Sequence, residues 1–238
     1  MSVLARPCGG VISRIVANPV FILDALTLVA SSPWHGGGSF SVSGGNAARE
    51  LVVITLEESF DCHPTAVTYG TESMAQRAFI DVPVGVGADF GVSLGFWGLN
   101  DAGLQAAAST TIVVTRNDTL SSAGALLAMT LGNVSQTTPV ADNDSAQGDV
   151  ANPSGINLDV IAGNFALSAF ASTEDGNPSI AWSGITERFE QNSSFVETSV
   201  AYDFARAAAT LPISATQTPT PTDKAGILGI VYNHAGIA

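Results

Sequence analysis

Between Phe90 and Trp97 the chain reads Phe-Gly-Val-Ser-Leu-Gly-Phe-Trp, which sets Phe90, Val92, Leu94 and Phe96 on one side of an extended backbone. That period of two is the period of a β-strand. The same kind of segment recurs along the chain. Glu50–Glu57 is rich in Val, Ile, Leu and Thr, the residues that pack best on a pleated surface. Thr110–Arg116, Leu126–Leu131, Phe165–Ala171, Phe195–Phe204 and Gly226–Tyr232 have similar character, and between such runs stand clusters of Gly, Pro, Asn, Asp and Ser. Helical periodicity is almost absent, and no βαβ alternation appears. The pattern predicts an all-β chain, an antiparallel β-sandwich of jelly-roll-like type, with residues 17–238 as one domain and residues 1–16 as an N-terminal arm.

Local signals fill in this expectation. Gly44-Gly45-Asn46 joins Phe40–Ser43 to the strand at 50–57 as a strand pair around a loop, and Gly70-Thr71 joins Ala66–Tyr69 to Glu72–Ile80 as a hairpin. The Gly and Ser face opposite Val92 and Leu94 leaves room for another sheet, a loop or a second subunit, or marks a bend. Between Pro139 and Pro153 the sequence is polar and lacks an apolar period, so it reads as the longest loop. No internal repeat is visible.

Only 12% of residues are charged, with 21 acidic against 8 basic, and mean hydropathy is +0.31. So little charge points either to apolar surface covered by neighbours in an assembly or to a large core. The seven arginines and Lys224 are scattered, which disfavours nucleic acid and anionic membranes as partners. No run of about 18 apolar residues exists to span a bilayer, and the N-terminus lacks the pattern of a signal peptide. Cys8 and Cys62 permit one disulfide or two buried thiols.

Candidate chemistry is sparse. His35, His63 and His234 form no metal-binding pair, and Cys62-His63 reads as exposed loop residues before Pro64. Asp142, Asp144 and Asp149, with Asn143, offer hard oxygen ligands for Ca²⁺, or else form a solvated acidic loop; the EF-hand spacing is missing. Glu57-Glu58 diverge in a strand and read as a strand-end charge cluster before a glycosidase pair. Trp34, Trp97 and Trp182 are candidates for stacking against a sugar ring, or for core packing. No G-x-S-x-G nucleophile turn occurs, the Asn-x-Ser/Thr matches are those expected by chance, and the expectation is a non-enzymatic protein without a cofactor.

Four segments carry a resemblance: Ala48–Thr55, Ala66–Gly70, Thr110–Thr115, and Leu131–Gln136 with Thr137-Thr138-Pro139. The stretch Asn46–Pro139 that holds them resembles a β-sandwich module of bacteriophage structural proteins and bacterial surface proteins. The resemblance implies a virion component made in the host cytoplasm, either a capsid decoration or cement protein or a tail-associated one. Its implied partners are a major capsid or tail protein and other copies of itself. A receptor- or carbohydrate-binding adhesive module is the alternative.

Overall fold

The computed structural model describes residues 22–23, 26–31, 37–42, 48–59, 62–83, 90–117, 122–173, 178–193, 196–205, 207–221 and 223–236. The arm at 1–16, Cys8, Trp34, His35 and the Gly44-Gly45-Asn46 loop lie outside them. The chain is nearly all antiparallel strand, as the period-two pattern requires.

The N-terminal half contains β1 (Ile22–Leu23), β2 (Thr27–Ser31), β3 (Gly37–Ser39), β4 (Glu50–Ser59), β5 (Pro64–Tyr69), β6 (Glu72–Ser73), β7 (Ala75–Val82), β8 (Gly91–Asn100), the helix α1 (Asp101–Ala106), β9 (Thr111–Arg116) and β10 (Ser122–Gly132). The C-terminal half contains β11 (Val140–Asp149), β12 (Ile156–Val160), β13 (Phe165–Thr173), β14 (Ser179–Ser183), β15 (Glu187–Ser193), β16 (Val196–Phe204), β17 (Ala209–Thr218) and β18 (Lys224–Tyr232).

The two halves have one topology. In the first, the large sheet runs β2-β10-β4-β8-β7, with β1 also on β10, and the small sheet runs β3-β9-β5-β6. In the second, the large sheet runs β11-β18-β13-β16-β15 and the small one β12-β17-β14. Matching β2, β3, β4, β5, β7, β8, β9 and β10 to β11 through β18 in order reproduces the pairings among these strands; β1 on β10 and β6 on β5 have no counterpart. In each half the first strand lies beside the last, the second beside the seventh and the third beside the sixth. The fifth strand joins the large sheet, so each half divides its strands five and three.

The four sheets stack in the order small, large, large, small. Val52, Ile54 and Leu56 of β4 and Val92, Leu94 and Phe96 of β8 meet Phe165, Leu167 and Ala169 of β13 and Leu228 and Ile230 of β18 in a central core between the two large sheets. The opposite faces of the large sheets make two further cores, one around Leu51, Val53, Trp97 and Ile112 and one around Leu158, Phe170, Ile213 and Ile227. The inner strands of the large sheets are therefore buried on both faces, and β8, β13 and β18 are buried along almost their whole length. Three cores account for the apolar composition, and the large exposed apolar side chains among the described residues are scattered: Leu28, Phe90, Val113, Val150, Ile161 and Phe204. Of the two explanations for so little charge, the large core is thus present.

The halves meet across a pseudo-twofold. Val134 and His234, each just beyond the last strand of its half, form an antiparallel bridge. Around it Ser135 N–H donates to the Asn233 carbonyl at 2.9 Å, and Ala235 N–H donates to the Asn133 carbonyl at 2.7 Å.

Several local expectations are corrected. The polar stretch 139–153 holds strand β11, whose even-numbered side chains turn inward and odd ones outward; a strand at the side of a stack needs only one apolar or bonded face. Residues 40–42, the described part of the expected strand 40–43, do not pair with β4: the strand before them, β3, pairs with β9 in the small sheet. The hairpin after β5 is only the two-residue β6 before the chain crosses to β7 in the large sheet. Part of the Ala-rich connection 101–109 is α1, capped by the Asn100 side chain, which accepts from Gly103 N–H at 3.0 Å.

Candidate functional site

Buried charge is the first place to look for chemistry in a protein with so few ionised groups. In the N-terminal half, Glu57 projects from β4 toward the small sheet and receives the Arg116 guanidinium from β9, Nε to Oε1 2.9 Å, with both side chains buried. Burial pushes its carboxyl up to about 7 despite the opposing pull of Arg116. Glu50, at the other end of β4, faces the central core and takes Arg77 Nη2 at 2.7 Å, with burial again raising its pKa. Glu57 and Glu58 stand on opposite faces of β4, so they are not a catalytic pair, and both are buried rather than a solvated strand end.

In the C-terminal half, three carboxylates gather on the outer face of the large sheet under β14. Glu197 on β16 is fully buried, and among the described residues no N–H or hydroxyl group donates a hydrogen bond to either of its oxygens. Burial, followed by the charge and hydrogen bonding of Glu190 and the charge of Glu187, pushes it up to about 8. Glu190 accepts from Ile180 N–H at 3.3 Å, and Glu187 accepts from the Ser199 hydroxyl at 3.0 Å. Trp182 closes the group, its indole N–H donating to Ser199 Oγ at 2.8 Å. A neutral Glu197 at physiological pH is the stable form of such a cluster. Sequence reading missed it because these glutamates look like ordinary strand residues until β15 and β16 are paired.

The proposed metal ligands do not converge. Asp142 and Asp144 lie on β11 with their carboxylates facing β12, where Asp142 Oδ2 accepts from Asp159 N–H at 2.7 Å and Asp144 Oδ2 from Asn157 N–H at 2.8 Å. Asp149 points to the other side and pairs with Lys224 Nζ at 2.8 Å. The two aspartates thus cap the open N–H groups of an edge strand, a standard protection of sheet edges. Among the described residues no group of three His, Cys, Asp or Glu is arranged to hold a metal ion.

The tryptophans also part company. Trp97 is buried, and its Nε1 donates to Thr55 Oγ1 at 3.2 Å. The indole occupies the space above Gly95, where a Cβ would come within 2.7 Å of Nε1. The small-residue face of β8 is therefore filled by the strand's own Trp97. Trp182 is half-buried beside the carboxylate group, with its indole N–H engaged by Ser199. Cys62 is buried, and His63 lies 3.6 Å from Asp81 with its ring against Phe79, so this pair is packed rather than displayed.

One open cavity, of about 620 Å³, lies at the end of the C-terminal half. Val160, Ala166, Ala209 and Leu211 line its walls, and Thr186, Arg188, Asp203 and Phe204 its mouth. The size is that of a small-molecule site.

Compared with family models, with curated proteins and with solved structures, the chain matches none.

Proposed function

We propose that this chain is a non-catalytic structural component of a bacteriophage or phage-like particle, a capsid decoration or cement protein that holds the particle by subunit contacts. The supporting observation is the chemistry of the two outward faces of the stack. On the first small sheet the exposed residues are Ser39, Thr65, Ala66, Ser73, Thr111, Val113 and Thr115. On the second they are Asn157, Asp159, Ser179, Ala181, Ser183, Ala209, Thr210, Pro212, Thr216 and Thr218. Asp159 is the single charge among them, and it accepts a hydrogen bond from Thr210 at 2.7 Å.

Flat, short-chained and uncharged faces lose little side-chain entropy and pay little desolvation when covered, which suits repeated protein contacts. Nucleic acid is a poor fit as partner. Arg49, Arg77, Arg116, Arg188 and Lys224, the cations among the described residues, each hold a carboxylate within 4 Å and leave no basic patch. A tail-associated or receptor-binding role is the second reading, and the open cavity favours it.

Quantitative mass spectrometry of purified particles from the organism that carries the gene tests the proposal. Stoichiometric incorporation is expected, and Thr111→Lys with Thr216→Lys, which place charge on both outward faces, should abolish it while the protein still folds. Absence of the protein from particles overturns the assignment.

A further inference from the structure

Strand β15 carries a bulge. Glu187 stands opposite Ala201 and Phe189 opposite Val200, so Arg188 is the extra residue between them. Strict alternation would put Glu187 and Glu190 on opposite faces, and the bulge brings both to the face that looks toward β14. Arg188 itself directs its guanidinium to Asp203 at 3.2 Å and to the Tyr202 ring at 5.0 Å. Glu197 of β16 completes a row of three: Glu190 is hydrogen bonded to Glu197 on one side and to Glu187 on the other. A hydrogen bond between two carboxyl groups exists only while one of them holds a proton, because an ionised carboxylate accepts and cannot donate. The row is a proton-sharing unit by its geometry.

Its other contacts run to one strand. β14 is an edge of the small sheet β12-β17-β14, and its Ile180 N–H donates to Glu190 at 3.3 Å. Trp182 of the same strand donates to Ser199 Oγ at 2.8 Å, and that hydroxyl lies 3.0 Å from Glu187 Oε1 and 2.8 Å from the Phe189 carbonyl. β14, reading Ser-Ile-Ala-Trp-Ser, brings no titratable group of its own. The described neighbours of Glu197 on the other strands are neutral: Ser172 is its register partner on β13, and Gln217 of β17 accepts from the Ser172 hydroxyl. Lys224, at the end of β18, is held by Asp149 at 2.8 Å. The opposite edge of the same sheet is capped differently. There Asn157 N–H and Asp159 N–H of β12 donate to Asp144 and Asp142, carboxylates that accept without a shared proton.

We infer that Glu187, Glu190 and Glu197 form a proton-operated latch on the β14 edge: while the row shares its protons Glu190 caps Ile180, and when they leave Glu190 turns to solvent and the edge opens. Burial decides which member moves. Ionised carboxylates in contact repel one another, Glu197 is enclosed, and Glu190 is the exposed member of the row. The change falls at alkaline pH, since burial and then the neighbouring glutamates push the Glu197 carboxyl up to about 8. An opened edge offers unpaired backbone groups to another chain, so the latch sets which edge of the small sheet is available for strand pairing. This is a property of the isolated chain and stands apart from the particle assignment.

Amide hydrogen exchange of the full chain tests the latch, read by NMR at intervals from pH 6 to pH 9.5 and corrected for the intrinsic exchange rate. Protection of Ile180 should fall at least about tenfold, with a midpoint at about 8. Asn157 and Asp159 on the β12 edge should change less than about twofold. Glu197→Gln puts a permanent donor in place of the shared proton and should keep Ile180 protected throughout. If that variant does not fold, the two edges of the wild type decide alone. Three outcomes overturn the inference: Ile180 protection that stays flat to pH 9.5, equal losses on both edges, which mark weakening of the whole fold, or a folded Glu197→Gln protein that loses Ile180 protection as the wild type does.

Discussion

Replacing Glu197 by Gln should make the protein more stable, and only at high pH. In the folded chain the carboxyl is pushed up from 4.5 to about 8, so the native state holds a proton that the unfolded chain has already released. Raising the pH through that window therefore favours unfolding; below 4.5 both states are protonated and nothing changes. At about 1.4 kcal/mol per pH unit, the full window is worth roughly 5 kcal/mol. Glu190, exposed at the edge of the group, admits water and reduces this, so a loss of about 2–5 kcal/mol between pH 5 and pH 9 is expected, out of a typical total of about 5–15. Glutamine keeps the shape of the protonated acid and never ionises. Urea denaturation followed by circular dichroism at pH 5, 6, 7, 8 and 9 should show the two proteins within about 1 kcal/mol of each other at pH 5 and the variant ahead by about 2–5 at pH 9. Glu57, raised to about 7, titrates in both proteins and cancels in the difference. Parallel stability curves across the range would refute the buried-carboxylate argument.

Arg116→Ala strands the Glu57 carboxylate in the interior and should cost about 3–5 kcal/mol at pH 8 in denaturant unfolding, whereas Arg116→Met with Glu57→Leu should cost far less. Leu228→Ala opens a hole between the two large sheets and should cost about 2–5 kcal/mol in the same assay; a loss under 1 would mean that the halves do not share a core. Asp142→Ala with Asp144→Ala uncovers the N–H groups of β12, and size-exclusion chromatography should then show concentration-dependent association that the wild type lacks. Calcium added to the wild type should leave its melting temperature unchanged, because those carboxylates already accept backbone hydrogen bonds.

The fold class was legible because alternation such as Val92-Ser93-Leu94-Gly95-Phe96 has one economical reading. The shared strand order of the two halves was not. A sheet buried on both faces asks only for apolar residues of fitting size, so β4, with Glu50, Thr55 and Glu57, and its counterpart β13, with Phe165, Ser168 and Ala171, share a position and little sequence. The clearest trace is Ala123-Gly-Ala-Leu-Leu127 in β10 beside Ala225-Gly-Ile-Leu-Gly229 in β18, too short to notice unprompted. The aspartates of β11 misled for a related reason: a strand whose inward face bonds to another strand's backbone has no need of apolar period. Glu187, Glu190 and Glu197 become a group only through the β15–β16 register, a fact of pairing that no local spacing encodes.

Two halves of one strand order joined in a single polypeptide need not remain alike. A true dimer presents the same surface at both ends, and every substitution appears twice. Here the bridge at Val134 and His234 fixes the mutual orientation while each end changes alone: one is stoppered by α1, the other left hollow. The two ends of such a molecule differ, where a true dimer would repeat one end twice.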